Sequence, residues 1–294
     1  MISAQIIADS FGQDAPRLTT FELVYPRFIH AELMTHRVFS RNASSSRAIP
    51  VARMHKAIRE MPALPVEWRM DEPGMQGWTL ATPEQAEEAK IIYLEAMEDA
   101  IRHAERLAAK KYHKQHINRI TEPYQHIRVC LTSTEWLNWD GLRDHPDAEP
   151  TIQALARAMK AARQAHQPSF LHAWDHHLPY IEETDRVAAQ GFIDGTNFSV
   201  QDILIRVSGA RCARTSYKTH NGLRSEIADD LRLFNKLVTS DLIHASPTEH
   251  QASPDFLLIK ERWMTPELHG NFRGWKQFRK TLPNENLDSL PLAA

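Results

Sequence analysis

Thr82-Pro83-Glu84-Gln85 opens the longest patterned stretch of the chain. Threonine offers an N-cap oxygen, proline fits the first turn, and glutamine three residues on returns a bond to the cap. Behind it, Leu94, Met97, Ile101, Ala104 and Ala108 recur at spacings of three and four. That is one apolar stripe on a long helix, expected to run to about residue 112. A one-sided helix of this length must lie on other elements, so the chain has to build a layered core.

The other patterns are of mixed type. In residues 19–25, Phe21, Leu23 and Tyr25 alternate and predict a half-buried strand. A short helix is expected over RFIHAELMTHR, then a loop over VFSRNASSSRAIP. A polar, proline-rich stretch follows at roughly 61–83. VCLTST around Cys130 reads as a buried strand. A helix should begin near Pro150, with Ile152, Leu155, Ala156, Met159 and Ala162 inward. Residues 165–200 break every period and read as a connection, and DILIRVSG (202–209) as a strand. Ile227, Leu231, Phe234 and Leu237 mark a last helix ending near Asp241. The fold class is mixed α/β (α+β), helix-rich: one catalytic domain over 1–294 with a seam at 165–200.

Composition narrows the function. Lys and Arg number 35 against 37 acids, which does not suggest a nucleic-acid polymer as partner. The two cysteines, Cys130 and Cys212, are too few for a disulfide framework and lack a C-x-x-C spacing. No secretory leader and no apolar run of about 18 residues is read, so a soluble, cytoplasmic protein is expected.

Chemistry concentrates in Thr35–Arg47, where three arginines, one histidine and four serines fall in 13 residues. Arginine forks and serine hydroxyls suit phosphate; the plain alternative is a solvated linker. The stretch resembles the signature of flavin-dependent thymidylate synthases, Arg-His-Arg, seven residues, Ser, x, Arg. Here it reads Thr35-His36-Arg37, seven residues, Ser45-Ser46-Arg47, with Asn42 also matching. Asn118-Arg119-Ile120-Thr121-Glu122-Pro123 resembles the family's Ala-Arg-x-x-Leu-Pro. Trp136–Arg143 and Ala148–Ile152 resemble its Asn-Phe-x-x-Leu-Arg and Ala-Gln-x-Glu-Ile. Ala210–Tyr217 resembles Ala-Arg-x-Ser-Tyr. His244–His250 matches His-x-Ser/Thr-Pro-Phe-Glu-His at five of seven positions. In the family this last segment precedes the Arg-His-Arg segment. Here it follows by about 200 residues, which implies a circularly permuted order.

The resemblance implies FAD as cofactor, NADPH as its reductant and methylenetetrahydrofolate as one-carbon donor. The base would be methylated at C5 of dUMP in a homotetramer with sites between subunits. It implies catalytic roles for Arg143 and His244. His36, Arg37, Asn42, Asn138, Ser216 and Ser246 would hold the cofactor. Ser45, Ser46, Arg47, Arg119 and Arg143 would hold the nucleotide, Arg143 polarising the pyrimidine. Read without the resemblance, Arg143 is a surface arginine paired with Asp144 or Asp147. Thr35, Ala43 and Glu149 depart from the family's Arg, Glu and Gln. Such changes can alter which base is accepted, so action on dCMP, or delivery of a hydroxymethyl group, stays open. Cys212, flanked by arginines, keeps a thiolate route chemically open. His172-Ala173-Trp174-Asp175-His176-His177 suggests a metal phosphohydrolase, and a non-catalytic nucleotide-binding module is a further alternative. The tail 270–285 interleaves Arg273, Lys276, Arg279 and Lys280 with Phe272, Trp275 and Phe278. It reads as a base- or pterin-stacking surface or as an amphipathic helix with a basic face.

Overall fold

The computed structural model describes residues 1–193, 198–215, 224–238, 243–258 and 262–286. Strands β1 (Ser3–Phe11) and β2 (Leu18–Pro26) form an antiparallel pair. Helix α1 (His30–Met34) follows, then a short strand β3 (Ser40–Ala43) and helices α2 (Val51–Glu60), α3 (Pro83–Ala109) and α4 (Lys114–Ile120). Strand β4 (His126–Ser133) leads into α5 (Leu137–Arg143) and α6 (Pro150–Ala165). Next come β5 (Ser169–Phe170), α7 (Glu183–Ala189), α8 (Val200–Arg214) and α9 (Ile227–Val238). Four short strands close the described chain: β6 (Ala252–Pro254), β7 (Leu257–Leu258), β8 (Arg262–Trp263) and β9 (Trp275–Gln277).

The sheet order is β3-β4-β2-β1-β5, antiparallel except for β1 with β5. Because side chains alternate, its two faces differ in kind. Phe21, Leu23, Tyr25, Ile127, Val129 and Leu131 point to one face and bury against Ile152, Leu155, Ala156 and Met159 of α6. The opposite face carries Thr20, Glu22, Cys130, Thr132 and Asn42, the first two registered against Thr132 and Cys130. Cys212 of α8 packs there with Cys130 and Tyr180.

Most expected elements are present. Thr82 and Gln85 form the reciprocal capping box, and α3 buries Met97, Ile101 and Ala104 before ending at Ala109. DILIRVSG is not a strand; it lies inside α8. Nine of that helix's residues, Ile203–Ile205 and Val207–Cys212, are buried, so no polar face survives to show a helical period. Its start is signed by Ser199, whose hydroxyl caps Asp202 N while Asp202 returns a bond to the Ser199 amide. The connection at 165–200 contains α7, and the loop after Phe39 contains β3, an edge strand. In the tail the structure has turns and β9 rather than an amphipathic helix. Phe272 and Trp275 are buried with Ala15, Leu18 and Ala252, so those two rings stack no ligand.

Candidate active site at the β3 edge

The turn from α1 into β3 is shaped by Arg41, whose Nη1 donates to the carbonyls of Met34 (3.1 Å) and His36 (2.9 Å). This folds the Thr35-His36-Arg37 segment back over α5. The His36 ring is buried against Phe39 and the edge of Trp139, 5.8 and 4.8 Å between centroids. Burial lowers its pKa, and the Arg143 and Arg41 charges lower it further. A neutral ring is therefore an acceptor, and Arg143 Nε donates to its Nε2 at 3.0 Å. Arg143 also donates to the Glu32 carboxylate at 3.2 Å and to Thr35 Oγ1 at 3.3 Å. Burial raises the Glu32 pKa, Arg143 opposes that, and Glu149 adds to it.

Arg143 is thus not the solvated partner of Asp144 or Asp147. Asp144 is taken by Arg157 (2.9 Å) and Lys160 (2.8 Å), and the Arg143 side chain is 20% exposed. Glu149 is occupied in another way: it caps α6, accepting from Ile152 N at 2.9 Å and Thr151 Oγ1 at 2.8 Å. Its change from the family's Gln is accounted for by that capping.

The other stretches arrive at β3 from both sides. Asn118 Nδ2 donates to the carbonyls of Ser46 (2.8 Å) and Ile49 (2.9 Å), and Ser46 Oγ donates to Glu122 (2.9 Å). Ser46 is therefore buried, its hydroxyl engaged within the chain. The His244–His250 segment packs against β3 as a 3-10 turn over Ser246–Glu249. Assigned so that its nitrogen rather than its oxygen faces the carbonyls around it, the Asn42 amide puts that nitrogen 3.1 Å from Ser246 O and 3.3 Å from His250 Nε2. Gln277 Nε2 ties the same turn down through Glu249 O at 2.9 Å. Arg279 pairs with Glu249 and, at 3.1 Å, with Glu285. Of the tail's four cations, Arg279 thus braces this segment, while Lys280 pairs with Glu285 and Arg273 stays exposed.

A cleft of about 390 Å³ opens beside it, lined by Ile243, His244, Ala245, Ser246, Arg279, Asn284 and Glu285. His244 is exposed, with Nδ1 3.5 Å from Ser246 Oγ. Arg37, Ser45, Arg47, Arg119 and Asn138 are exposed as well. Arg119 has only a 3.8 Å contact to Glu122, and Arg37 and Arg47 pair with no carboxylate among the described residues. The structure joins His36 to Arg143, Asn42 to the Ser246 turn, and Ser46 to Asn118. It forms no such bond between His244 and Arg143. Ser216 lies outside the described residues.

The preceding motif residues are ordered by an ionic cluster: Arg211, fully buried, donates to Asp185 at 2.7 and 2.9 Å and to Asp230 at 2.9 Å. Arg214 also pairs with Asp230. The arginines flanking Cys212 are thereby neutralised. Burial pushes the Cys130 thiol well up. Among the described residues no three His, Cys, Asp or Glu side chains are placed to hold a metal. His177 of the histidine-rich segment instead points into the protein. Glu32, Arg41, Glu122 and His250 escaped the sequence reading as individual contributors. Arg41, Glu122 and His250 stand inside the marked stretches, and Glu32 alone lies outside them.

The sequence profile described as "Thymidylate synthase complementing protein" matches residues 18–169, just over half of the 294-residue chain. The chain belongs to that family. The match covers β2 to β5 and stops before α8 and the His244–His250 turn. Among solved structures, the UMP/dUMP methylase PolB from Streptomyces cacaoi bound with 5-Br UMP is 15% identical. That comparison has a TM-score of 0.45 and covers 56% of this chain and 88% of that one. The same protein bound with 5-Br dUMP gives 20% identity, a TM-score of 0.43, and 50% and 66% coverage. Comparison with curated proteins gives no match. No helix among the described residues is long and apolar enough to cross a membrane.

Family membership implies FAD, and the donor set fits it. Exposed Arg37 suits a diphosphate, and Asn138, His244 and Ser246 present polar groups. The cleft lies at the small end of the roughly 300–1,000 Å³ usual for ligand sites, so one chain offers room for part of a dinucleotide.

Proposed function

We propose that this chain is a flavin-dependent methylase of pyrimidine nucleotides that converts dUMP to dTMP. Methylenetetrahydrofolate would supply the one-carbon unit and NADPH would reduce FAD. One observation carries the reading: stretches chosen on sequence resemblance, separated by up to about 200 residues, converge on the Thr35–Arg47 segment, Arg143 at His36, Asn118 at Ser46 and the Ser246 turn at Asn42. Arg143 is oriented there by His36, Glu32 and Thr35.

When bound, the reduced flavin supplies the hydride and passes on the one-carbon unit. The chain's own share is positioning and electrostatics. Arg143, held by His36, Thr35 and both the carboxylate and the carbonyl of Glu32, presents its remaining N–H to the uracil carbonyl, where charge develops as C5 becomes nucleophilic. Neutral His36 accepts from Nε without adding a competing charge. Ser45, Arg47 and Arg119, exposed beyond β3, would take the nucleotide phosphate or ribose. Ser46 supports them by donating its hydroxyl to Glu122 rather than to the nucleotide. Arg37, Asn42, Asn138, Ser216, His244 and Ser246 would line the flavin. A second copy would complete the small cleft, as in a homotetramer.

Thr35 and Glu32 favour a second reading. A carboxylate 3.2 Å from Arg143 can accept from the amino group of a cytosine, which uracil lacks. Action on dCMP would follow. Absorbance of the purified protein with FAD, titrated with NADPH with and without nucleotide, separates the two. Flavin bleaching accelerated by dUMP, with a product heavier by one methyl group, is the expected result. Acceleration by dCMP alone selects the second reading, and failure to bind FAD overturns both.

A further inference from the structure

A continuous hydrogen-bond chain crosses the polar face of the sheet, directly beneath the candidate site. His250 Nδ1 lies 2.8 Å from Thr132 Oγ1, and Thr132 Oγ1 lies 2.7 Å from Thr20 Oγ1. Thr20 Oγ1 lies 2.7 Å from His177 Nε2, and His177 Nδ1 lies 3.0 Å from Ser10 Oγ. Thr20 and Thr132 are registered partners on β2 and β4, which brings their hydroxyls together. All five side chains are buried. At the other end stands Asn42, 3.3 Å from His250 Nε2.

Four of these groups can point either way: each hydroxyl gives one bond and takes one, and each neutral imidazole does the same. Asn42 cannot. Its amide nitrogen carries two N–H groups and lies within reach of three acceptor positions, Ser246 O (3.1 Å), Arg41 O (3.0 Å) and His250 Nε2 (3.3 Å). Turned over, its oxygen would face the two carbonyl oxygens with only a His250 Nε2–H at 3.3 Å to set against them. With the nitrogen inward, a proton on His250 Nε2 would point at a donor and find no acceptor there, which places the proton on Nδ1. Nδ1–H then donates to Thr132, Thr132 to Thr20, Thr20 to His177 Nε2, and His177 Nδ1–H to Ser10. Both rings are neutral, because burial takes each pKa down to about 3.

We propose that Asn42 is a positioning residue that sets the direction of this chain and fixes His250 and His177 as Nδ1–H tautomers. The chain thereby fastens the Ser246 turn, and with it the exposed His244, to the sheet. The positioning of a flavin contact rests on the function proposed above; the direction of the chain does not.

The test is nitrogen NMR of the full-length protein with 15N-labelled histidine, His177→Gln and His250→Gln serving to assign the two rings. Both are expected to carry the proton on Nδ1; Nε2–H on either ring in the wild type overturns the proposal. Asn42→Asp at pH 8 offers only acceptors, so both rings should switch to Nε2–H together. In a Thr20→Val background the same change should switch His250 alone. A switch confined to His250 with Thr20 intact, or no switch, also overturns it. If Asn42→Asp does not fold, the wild-type tautomers still decide. Thr20→Val should weaken FAD binding roughly tenfold, the scale of one lost hydrogen bond, and unchanged affinity refutes the positioning role. Wild-type protein that binds no FAD yet shows both Nδ1–H rings refutes the proposed function and leaves the chain's direction standing.

Discussion

Arg143→Ala should separate chemistry from folding. The guanidinium makes bonds to His36 Nε2, the Glu32 carboxylate and Thr35 Oγ1 at 3.0, 3.2 and 3.3 Å. Glu32 is 39% exposed and Thr35 is exposed, so water replaces what they lose. His36 is buried, so its Nε2 is left short of a partner, and that is the larger share of the cost. The total should be about 1–3 kcal/mol. A domain with a usual margin of about 5–15 kcal/mol stays folded after such a loss. The catalytic loss should be larger, about 10²–10³-fold in turnover, as for removal of one donor aimed at developing charge. Arg143→Lys keeps the charge but not the fork, and one ammonium cannot serve three acceptors set around a plane. It should recover part of the stability and little of the turnover. Urea melts, FAD titration and product formation per folded molecule are the three assays. Turnover within twofold of wild type refutes the catalytic role. A loss of stability above about 4 kcal/mol with FAD binding lost in parallel would make Arg143 a structural residue instead.

Ser45→Ala and Arg47→Ala should weaken nucleotide binding while leaving the urea midpoint unchanged, since both residues are exposed; equal calorimetric affinity would remove them from the site. Arg211→Met leaves Asp185 and Asp230 buried without their common cation and should cost about 3–5 kcal/mol in urea melts at pH 7, against less than about 1 kcal/mol for exposed Arg232→Met. His250 has a folded pKa of about 3 against about 6.5 when unfolded. Between those values only the unfolded chain takes the proton, so stability is full above pH 6.5 and falls with acidity by about 1.4 kcal/mol per pH unit. His250→Gln should make the slope shallower by about 1.4 kcal/mol per pH unit between pH 6 and pH 4, His177 keeping its own share, and an unaltered slope would show that the His250 ring is protonated in the native state.

What the residues disclosed, and what they hid, follows from whether a signal was local. The α3 stripe and its cap are contained in one segment, as are β2 and the inward face of α6, and each was legible. Helix α8 was not, because burial on every side erased the polar face that marks a helical period, leaving only the Ser199–Asp202 cap. β3 is four residues of Ser, Arg, Asn and Ala, a loop by composition, and is a strand because β4 offers it a ladder. The site followed the same rule. Arg143 could be nominated from its segment, but its partner Glu32 lies more than 100 positions away in a helix with no chemical mark of its own.

A site built from spatial contacts does not depend on the order of its segments in the chain. What the β3 edge needs is a turn that offers Ser246 O and His250 Nε2 to Asn42. Those contacts are spatial, and nothing in them depends on whether the turn comes before β3 or about 200 residues after it. A turn so far along the chain does require its own anchors, since no short covalent link joins it to β3. Gln277 from β9, Arg279 and the buried run from His250 to Ser10 supply them. Cutting the run in its middle therefore makes a sharper demand on the reading than altering its ends. Thr20→Val touches neither the candidate flavin residues nor the Ser246 turn, and it can reach them only if the chain of hydroxyls and imidazoles holds that turn in place.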